Sequence, residues 1–222
     1  MVDFGSPEKT AAYTGARPEI VSRVGRGNGP VLDVGCSTGA IGAAVRDMWG
    51  RRVVGVELSA DSASVAQEVL DAVIVGSVDN WDVEVAPSLA GELFDCVICA
   101  DVLEHTVDPW VGLARIVESL RPGGRLILSL PNVGHHNTLT NVFMRRRFPR
   151  RDRGLHDVTH LRWFGRRDVL ELVDHSGLRL VEMERVMRIF ERPHRANAVA
   201  KYVPWGLRDL FTFQFVVVAV KE

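Results

Sequence analysis

The sequence predicts an α/β fold built on a doubly wound, mainly parallel sheet, and three observations carry that expectation. Short apolar runs alternate with helix-like stretches, as in a sheet covered on both faces. Several of those runs are continuous rather than alternating in apolar character, which marks strands buried on both sides. The first run leads at once into a turn with two glycines and then a helix, the place where doubly wound sheets bind ligands.

The elements follow in order. Pro30 to Val34 is a first strand, with a helix running from the turn to about Trp49. Arg52 to Glu57 is a second strand, and Ser59 and Asp61 supply N-cap chemistry for a helix through Ala63, Ala66 and Leu70. Ala72 to Val75 makes a short third strand, and Phe94 to Ala100 a central fourth. A helix from Pro109 to Leu120 should end at Arg121-Pro122-Gly123-Gly124, since proline and glycine oppose its continuation. Arg125 to Leu130 is the fifth strand. Residues 131–165 show no clean periodicity and are expected to cap the carboxyl ends of strands four and five. Asp168 to His175 reads as a helix stopped by Gly177. Leu178 to Val186 and Phe213 to Val220 are the last strands, the final one antiparallel. A single domain over residues 1–222 is expected.

Composition sets bounds. The chain has 222 residues, 46% of them hydrophobic and 25% charged, with a net charge of −1. That is globular composition in a chain long enough to fold without a staple. No run approaches the roughly 20 apolar residues of a membrane span. The start of the sequence carries Asp3 and Glu8 and no apolar segment, unlike a secretory signal, so a cytoplasmic location is expected. Three cysteines offer no metal-knuckle spacing, and Cys96 and Cys99 should face opposite sides of their strand. The near-neutral total hides an asymmetry. Nine arginines and two aspartates between Arg145 and Arg167 give a local +7 and leave −8 elsewhere. A general polyanion-binding role is therefore disfavoured, and a local basic face is expected.

The chemistry concentrates at Asp33-Val34-Gly35-Cys36-Ser37-Thr38-Gly39. A dinucleotide would want a third glycine and would meet Asp33 with its own negative charge, and no P-loop lysine is present. A cofactor with a cationic centre and an amino group suits Asp33 better, which points to S-adenosylmethionine. Glu57, closing the second strand, can accept bonds from both ribose hydroxyls.

Four segments, VLDVGCSTG (31–39), VVGVELS (53–59), FDCVICADVLEH (94–105) and LRPGGRLILSLPN (120–132), appear in that order. They resemble the motif series of class I S-adenosylmethionine-dependent methyltransferases, from about Tyr13 to the end of the chain. The resemblance implies a seven-stranded, Rossmann-like sheet of order 3-2-1-4-5-7-6 with strand 7 antiparallel. It also implies that Asp33, Gly35, Cys36 and Gly39 surround the methionine part, Glu57 the ribose and Leu58 the adenine. Asp101 and His105 would line the sulfonium and acceptor side, and Tyr13 and Arg17 would approach the cofactor carboxylate. The adenine amino group is left between Ser77 and Asp79, because this chain has Gly-Ser-Val-Asp where the family often has Gly-Asp.

The acceptor is less sharply marked. An Asn/Asp-Pro-Pro-aromatic motif after strand four, typical of enzymes that methylate nucleobases, is absent. Asp157-Val158-Thr159-His160-Leu161-Arg162-Trp163-Phe164 is similar to a segment of bacterial glycan, glycolipid and secondary-metabolite methyltransferases. Four of the seven histidines lie between 135 and 160, and a histidine-rich cap favours oxygen over nitrogen methylation. The expected reaction is O-methylation of a hydroxyl on a carbohydrate or a related polar, anionic or extended acceptor. His136, His156, His160 and Asp101 are the candidate bases. On a helical turn His156 and His160 would share a face, with Asp157 beside the first. The histidine and Asp157 cluster could also hold a divalent ion such as Mg²⁺. An RNA or protein methyltransferase, or a cofactor-binding partner module without turnover, are the alternatives. Nucleic acid is disfavoured, because only Phe148 sits among the arginines. A homodimer is left open.

Overall fold

A computed structural model describes residues 15–191 and 194–222. Seven strands form one sheet: β1 (Val31–Val34), β2 (Val53–Glu57), β3 (Ala72–Val75), β4 (Phe94–Ala100), β5 (Leu120–Pro131), β6 (Leu178–Met187) and β7 (Thr212–Lys221). Their spatial order is β3-β2-β1-β4-β5-β7-β6. Pairing is parallel except at β7, which runs antiparallel to both neighbours. Order and directions match the expectation.

The helices are α1 (Pro18–Val24), α2 (Ala40–Trp49), α3 (Ala60–Ala66), α4 (Trp81–Glu84), α5 (Ala86–Leu89), α6 (Pro109–Glu118), α7 (His136–Leu139), α8 (Arg166–His175) and α9 (Arg208–Phe211). Their ends obey local chemistry. Ser59 Oγ accepts from the Ser62 amide at the start of α3, and Asp108 Oδ1 accepts from the Trp110 and Val111 amides at the start of α6. Asp168 Oδ2 accepts from the Gly165 amide one turn back at α8.

β4 is the spine of the molecule. Alternate residues feed two cores: Phe94, Val97 and Cys99 pack on one face, with Leu113 and Ile116 of α6, while Cys96 and Ile98 pack on the other with Ile20 and Val24 of α1. Cys96 and Cys99 thus face opposite sides, and all three cysteines are free and buried. Burial pushes the Cys96 thiol up to about 12. It is an inert packing group.

Two boundaries differ from expectation. Helix α6 stops at Glu118, and β5 already begins at Leu120, which pairs with Phe94. Arg121 to Gly124 is therefore an irregular strand entry, with a register shift between Phe94 and Cys96. Lys221 Nζ secures this entry by donating to the carbonyls of Val117 and Leu120, both at 2.8 Å. Helix α3 ends at Ala66, short of Leu70.

The 131–165 segment returns to the sheet. Asn132 bridges Phe164, and the Val133 amide donates to the Phe164 carbonyl at 2.9 Å. The Leu161 and Arg162 amides donate to the Glu104 carbonyl just beyond β4. Among the described residues, no helix is long and apolar enough to cross a membrane.

Candidate active site

The carboxyl ends of β1, β2, β4 and β5 and the amino end of the antiparallel β7 lie at one edge of the sheet, and several of the sequence-predicted residues are found there. The turn after β1 is held in left-handed conformations at Gly35 (φ 72°), Ser37 (φ 50°) and Gly39 (φ 83°). The glycines serve packing as well as approach. A Cβ on Gly35 would collide with Val102, and one on Gly39 would stand 2.7 Å from Val69. Gly35 and Cys36 donate their amides to the Val56 carbonyl, binding this turn to β2.

Glu57 organises the first half of the site. One carboxylate oxygen accepts from the Ser37 amide at 2.8 Å and the other from the Ser59 amide at 2.8 Å. Each oxygen keeps acceptor capacity for a further donor. Leu58, beside it, is 58% exposed, an apolar face in an open position. Across the crevice Asp79 accepts from the Val107 amide at 2.9 Å, and its own amide donates to Ser77 Oγ at 3.1 Å.

Asp33 is buried at the root of this half, and one of its carboxylate oxygens has no hydrogen-bond partner. Burial raises its pKa to about 7; a hydrogen bond from the Gly42 backbone opposes the shift, and the charge of Glu57 adds to it. A buried carboxyl with an unsatisfied oxygen beneath a glycine turn fits a site that receives a cationic or amino group. Cys36 is buried, and its thiol is likewise pushed up by burial.

The second half forms around Asp101, which itself has a left-handed backbone (φ 58°). Arg17 NH1 donates to Asp101 Oδ2 at 2.6 Å, Arg17 Nε to Glu19 at 2.5 Å and Arg17 NH2 to Gln214 Oε1 at 2.9 Å. Ser129 Oγ donates to Asp101 Oδ1 at 2.8 Å, and Gln214 also donates to that oxygen. Residues from α1, β4, β5 and β7 are thus tied into one polar cluster. Tyr13, expected beside Arg17, lies outside the described residues.

The candidate bases part company. Residues 156–160 form turns, not a helix, with Gly154 at φ 85° just before them, so no shared helical face exists. His156 is buried, with Nε2 3.1 Å from Thr138 Oγ1 and Nδ1 3.7 Å from Glu191. His136 sits at the start of α7, its Nε2 2.8 Å from the Ile189 carbonyl and its ring against Phe211. His160 turns the other way and meets His105 edge-on at 4.8 Å between ring centroids. Burial lowers the His160 pKa to about 4, and His105 is lowered for the same first reason. Asp157 accepts from the amide and the hydroxyl of Thr159.

Sequence reasoning passed over Glu104, Ser129 and Gln214. Gln214 carried a legible signal, a lone amide within a buried apolar strand. Glu104 is 1% exposed, and burial followed by the charge of Asp101 pushes its carboxyl well above the usual carboxylate range.

Comparison with known proteins identifies the family and the fold. Residues 12–183 match the family described as "Methyltransferase domain". A ubiquinone biosynthesis O-methyltransferase of Xanthomonas axonopodis pv. citri (strain 306) is 33% identical over 135 residues, covering 59% of this chain and 55% of that protein. The mitochondrial enzyme of the same name from Schizosaccharomyces pombe is 34% identical over 101 residues, covering 45% of this chain and 36% of that protein. The chain spans about half the length of the first of these curated relatives. Among solved structures, a SAM-dependent methyltransferase from Archaeoglobus fulgidus superposes with a TM-score of 0.67 at 19% identity, over 98% of this chain and 95% of that one. A Haloferax volcanii protein described as a putative methyltransferase in complex with the Trm112 activator has the same TM-score at 17% identity, over 98% of this chain and 95% of that one.

Proposed function

The chain belongs to the methyltransferase-domain family, and from that premise we propose that it moves a methyl group from S-adenosylmethionine to a hydroxyl oxygen of a polar acceptor, a carbohydrate or a related metabolite. The observation that carries this reading is the pairing of two half-sites at one sheet end. Glu57 with the Gly35–Gly39 turn forms one, and the Arg17–Asp101–Ser129–Gln214 cluster the other. S-adenosylmethionine, when bound, supplies an electrophilic methyl on a sulfonium centre.

The chain's own residues then divide the work. Glu57 holds the ribose hydroxyls with the acceptor capacity left on its two oxygens. Leu58 offers an apolar face to the adenine, and Ser77 or Asp79 meets its amino group. Asp33, Gly35, Cys36 and Gly39 enclose the methionine part, while Arg17 is placed for its carboxylate. Asp101 and His105 line the acceptor side. Proton removal from the acceptor hydroxyl falls to His160, His136, His156 or Asp101. His160 packs against His105 on that side, but burial lowers its pKa to about 4, which keeps it neutral and makes it a weak proton acceptor near pH 7. Free, buried cysteines accord with a reducing, cytoplasmic setting.

The names of the similar proteins favour a second acceptor class, an intermediate of ubiquinone biosynthesis. Isotope-labelled S-adenosylmethionine, offered with sugars, ubiquinone-pathway hydroxyl compounds, RNA and protein extract, decides among them. A labelled methyl ether on a sugar supports the main reading, and one on a pathway compound supports the second. Label found only in RNA or protein sinks both. Absence of turnover until a protein partner is added would favour the partner-module alternative.

A further inference from the structure

We propose that Glu104, His105 and His160 form a binding site for one divalent transition-metal ion, with the ion placed to take an oxygen of the acceptor. Each residue offers a donor atom, and the three atoms lie within 4.8 Å of one another. Glu104 and His105 belong to the 3-10 turn that follows β4 (Leu103–His105). His160 arrives from the 131–165 segment. The site therefore joins the sheet to its cap.

Two of the three residues carry an orphaned polar atom. Glu104 Oε2 and His160 Nδ1 are buried without any hydrogen-bond partner, in side chains 1% and 8% exposed as whole residues. Buried polar atoms are nearly always satisfied, so two orphans within one three-residue cluster call for a group that completes them.

The tautomer of His105 is fixed by its neighbours. Thr159 Oγ1 donates its only proton to Asp157 Oδ1 at 2.7 Å. It must then accept from His105 Nδ1, 3.0 Å away, and the Thr159 carbonyl stands 3.3 Å from the same nitrogen. His105 Nδ1 therefore carries the hydrogen, and Nε2 keeps a lone pair. A carboxylate acting through a hydroxyl to orient a histidine is the second layer of support that metal-binding imidazoles use. Asp101 and Asp157 add negative potential around the cluster.

Two imidazoles and one carboxylate set the ion's class. Such a set suits Zn²⁺, Mn²⁺, Fe²⁺ or Co²⁺ and leaves coordination positions open. Mg²⁺ prefers oxygen donors and retains water, so the ion differs from the Mg²⁺ that the sequence left open. Its ligands differ too, since His160 stands with Glu104 and His105 while His156 pairs with Thr138. Placing an acceptor hydroxyl on the ion would lower the hydroxyl's pKa; that role, unlike the site itself, rests on the O-methylation proposed above.

The test reads metal directly. Chelator-treated protein of residues 1–222 is titrated with Co²⁺ under visible spectroscopy, and bound metal is counted by mass spectrometry after dialysis. Ligand-field bands that saturate at one Co²⁺ per chain are expected. They should vanish in His160→Ala and in Glu104→Gln, with circular dichroism confirming that each variant is folded. Thr159→Val keeps all three ligands and should weaken Co²⁺ by about 10–100-fold. Absence of saturable bands, or bands unchanged in folded His160→Ala, would overturn the site. Because none of these readouts involves turnover, they remain decisive even if the methylated acceptor proves to be something other than a hydroxyl.

Discussion

Arg17 and Asp101, 84 positions apart, meet at 2.6 Å where the entry to α1 faces the end of β4. Both have left-handed backbones, φ 44° and 58°, conformations unusual for side chains of their kind. The pair is partly buried, with each side chain 23% exposed, and Arg17 also contacts Glu19 and Gln214.

Asp101→Asn should separate structure from function at this point. Asparagine tolerates the left-handed backbone and keeps one acceptor for Arg17. We expect a stability loss of about 1–2 kcal/mol, read by urea unfolding, together with a larger proportional loss in turnover. Asp101→Ala should cost more, because Arg17, Ser129 and Gln214 all lose a partner. Full activity in Asp101→Ala would remove the residue from the acceptor site.

Glu57→Ala should weaken cofactor binding by about 1.5–3 kcal/mol, the worth of charge-assisted hydrogen bonds. The substitution also strips acceptors from the Ser37 and Ser59 amides, so the thermal midpoint must be followed alongside calorimetry. Glu57→Gln is the sharper variant: it keeps an acceptor oxygen and loses the charge. Unchanged affinity in both folded variants would count against the ribose assignment.

Much of this was readable beforehand, and the exceptions share a cause. β1, β2 and β4 announce themselves because strands buried on both faces need unbroken apolar runs. The strand order came from the motif series rather than from periodicity, which has no means of telling that β7 inserts between β5 and β6. Arg121-Pro122-Gly123-Gly124 has the chemistry of a helix stop, yet Leu120 pairs with Phe94 before it. Nothing local encodes that pairing. The histidines failed in the same way. A four-residue spacing brings His156 and His160 together only on a helix, and the left-handed Gly154 introduces turns instead. Glu104 stood in plain view beside His105, but its partner His160 is 56 positions away and reaches it only when the cap folds back.

Acid should destabilise the fold through His135. Its ring works in the neutral form: Nε2 lies 2.8 Å from the Arg188 carbonyl and Nδ1 accepts from the Asn137 amide at 3.2 Å. Burial lowers its pKa to about 4, with the Arg188 bond opposing. Between the ordinary value near 6.5 and 4, the unfolded chain binds the extra proton and the folded one does not. Stability is therefore full above about pH 7 and falls as pH drops through 6.5 towards 4. From pH 7.5 to 5 the loss should reach about 2 kcal/mol. His135→Gln retains a donor for Arg188 and should flatten this part of the profile. Parallel urea-derived profiles for the two proteins would refute the assignment.

The arginines between 145 and 151 should act on the acceptor through charge. Arg146, Arg147 and Arg150 are exposed, whereas Arg151 is engaged by Glu191 at 2.7 Å. Neutralising the first three together should raise the acceptor KM and reduce its salt dependence without changing cofactor affinity. A KM that stays constant across salt in both proteins would reduce this run to a solvated surface.

The base is tested by comparing four variants: His136→Ala, His156→Ala, His160→Ala and Asp101→Asn. Their surroundings predict an order. His156 is the least accessible, buried against Thr138 and Glu191, so its loss should act on stability before rate. His136 has one nitrogen committed to the Ile189 carbonyl and only the other available for proton transfer. His160 packs on His105 and carries an orphaned Nδ1; its loss removes either a candidate base or a ligand of the proposed ion, so it should be the most damaging to kcat. Removing a general base costs roughly 10²–10⁴-fold in rate while cofactor affinity persists. Retention of more than about a tenth of kcat in all four variants would exclude base catalysis by this set. Methyl transfer would then depend on how the acceptor is positioned, and the pH dependence of kcat should be set by the acceptor's own hydroxyl.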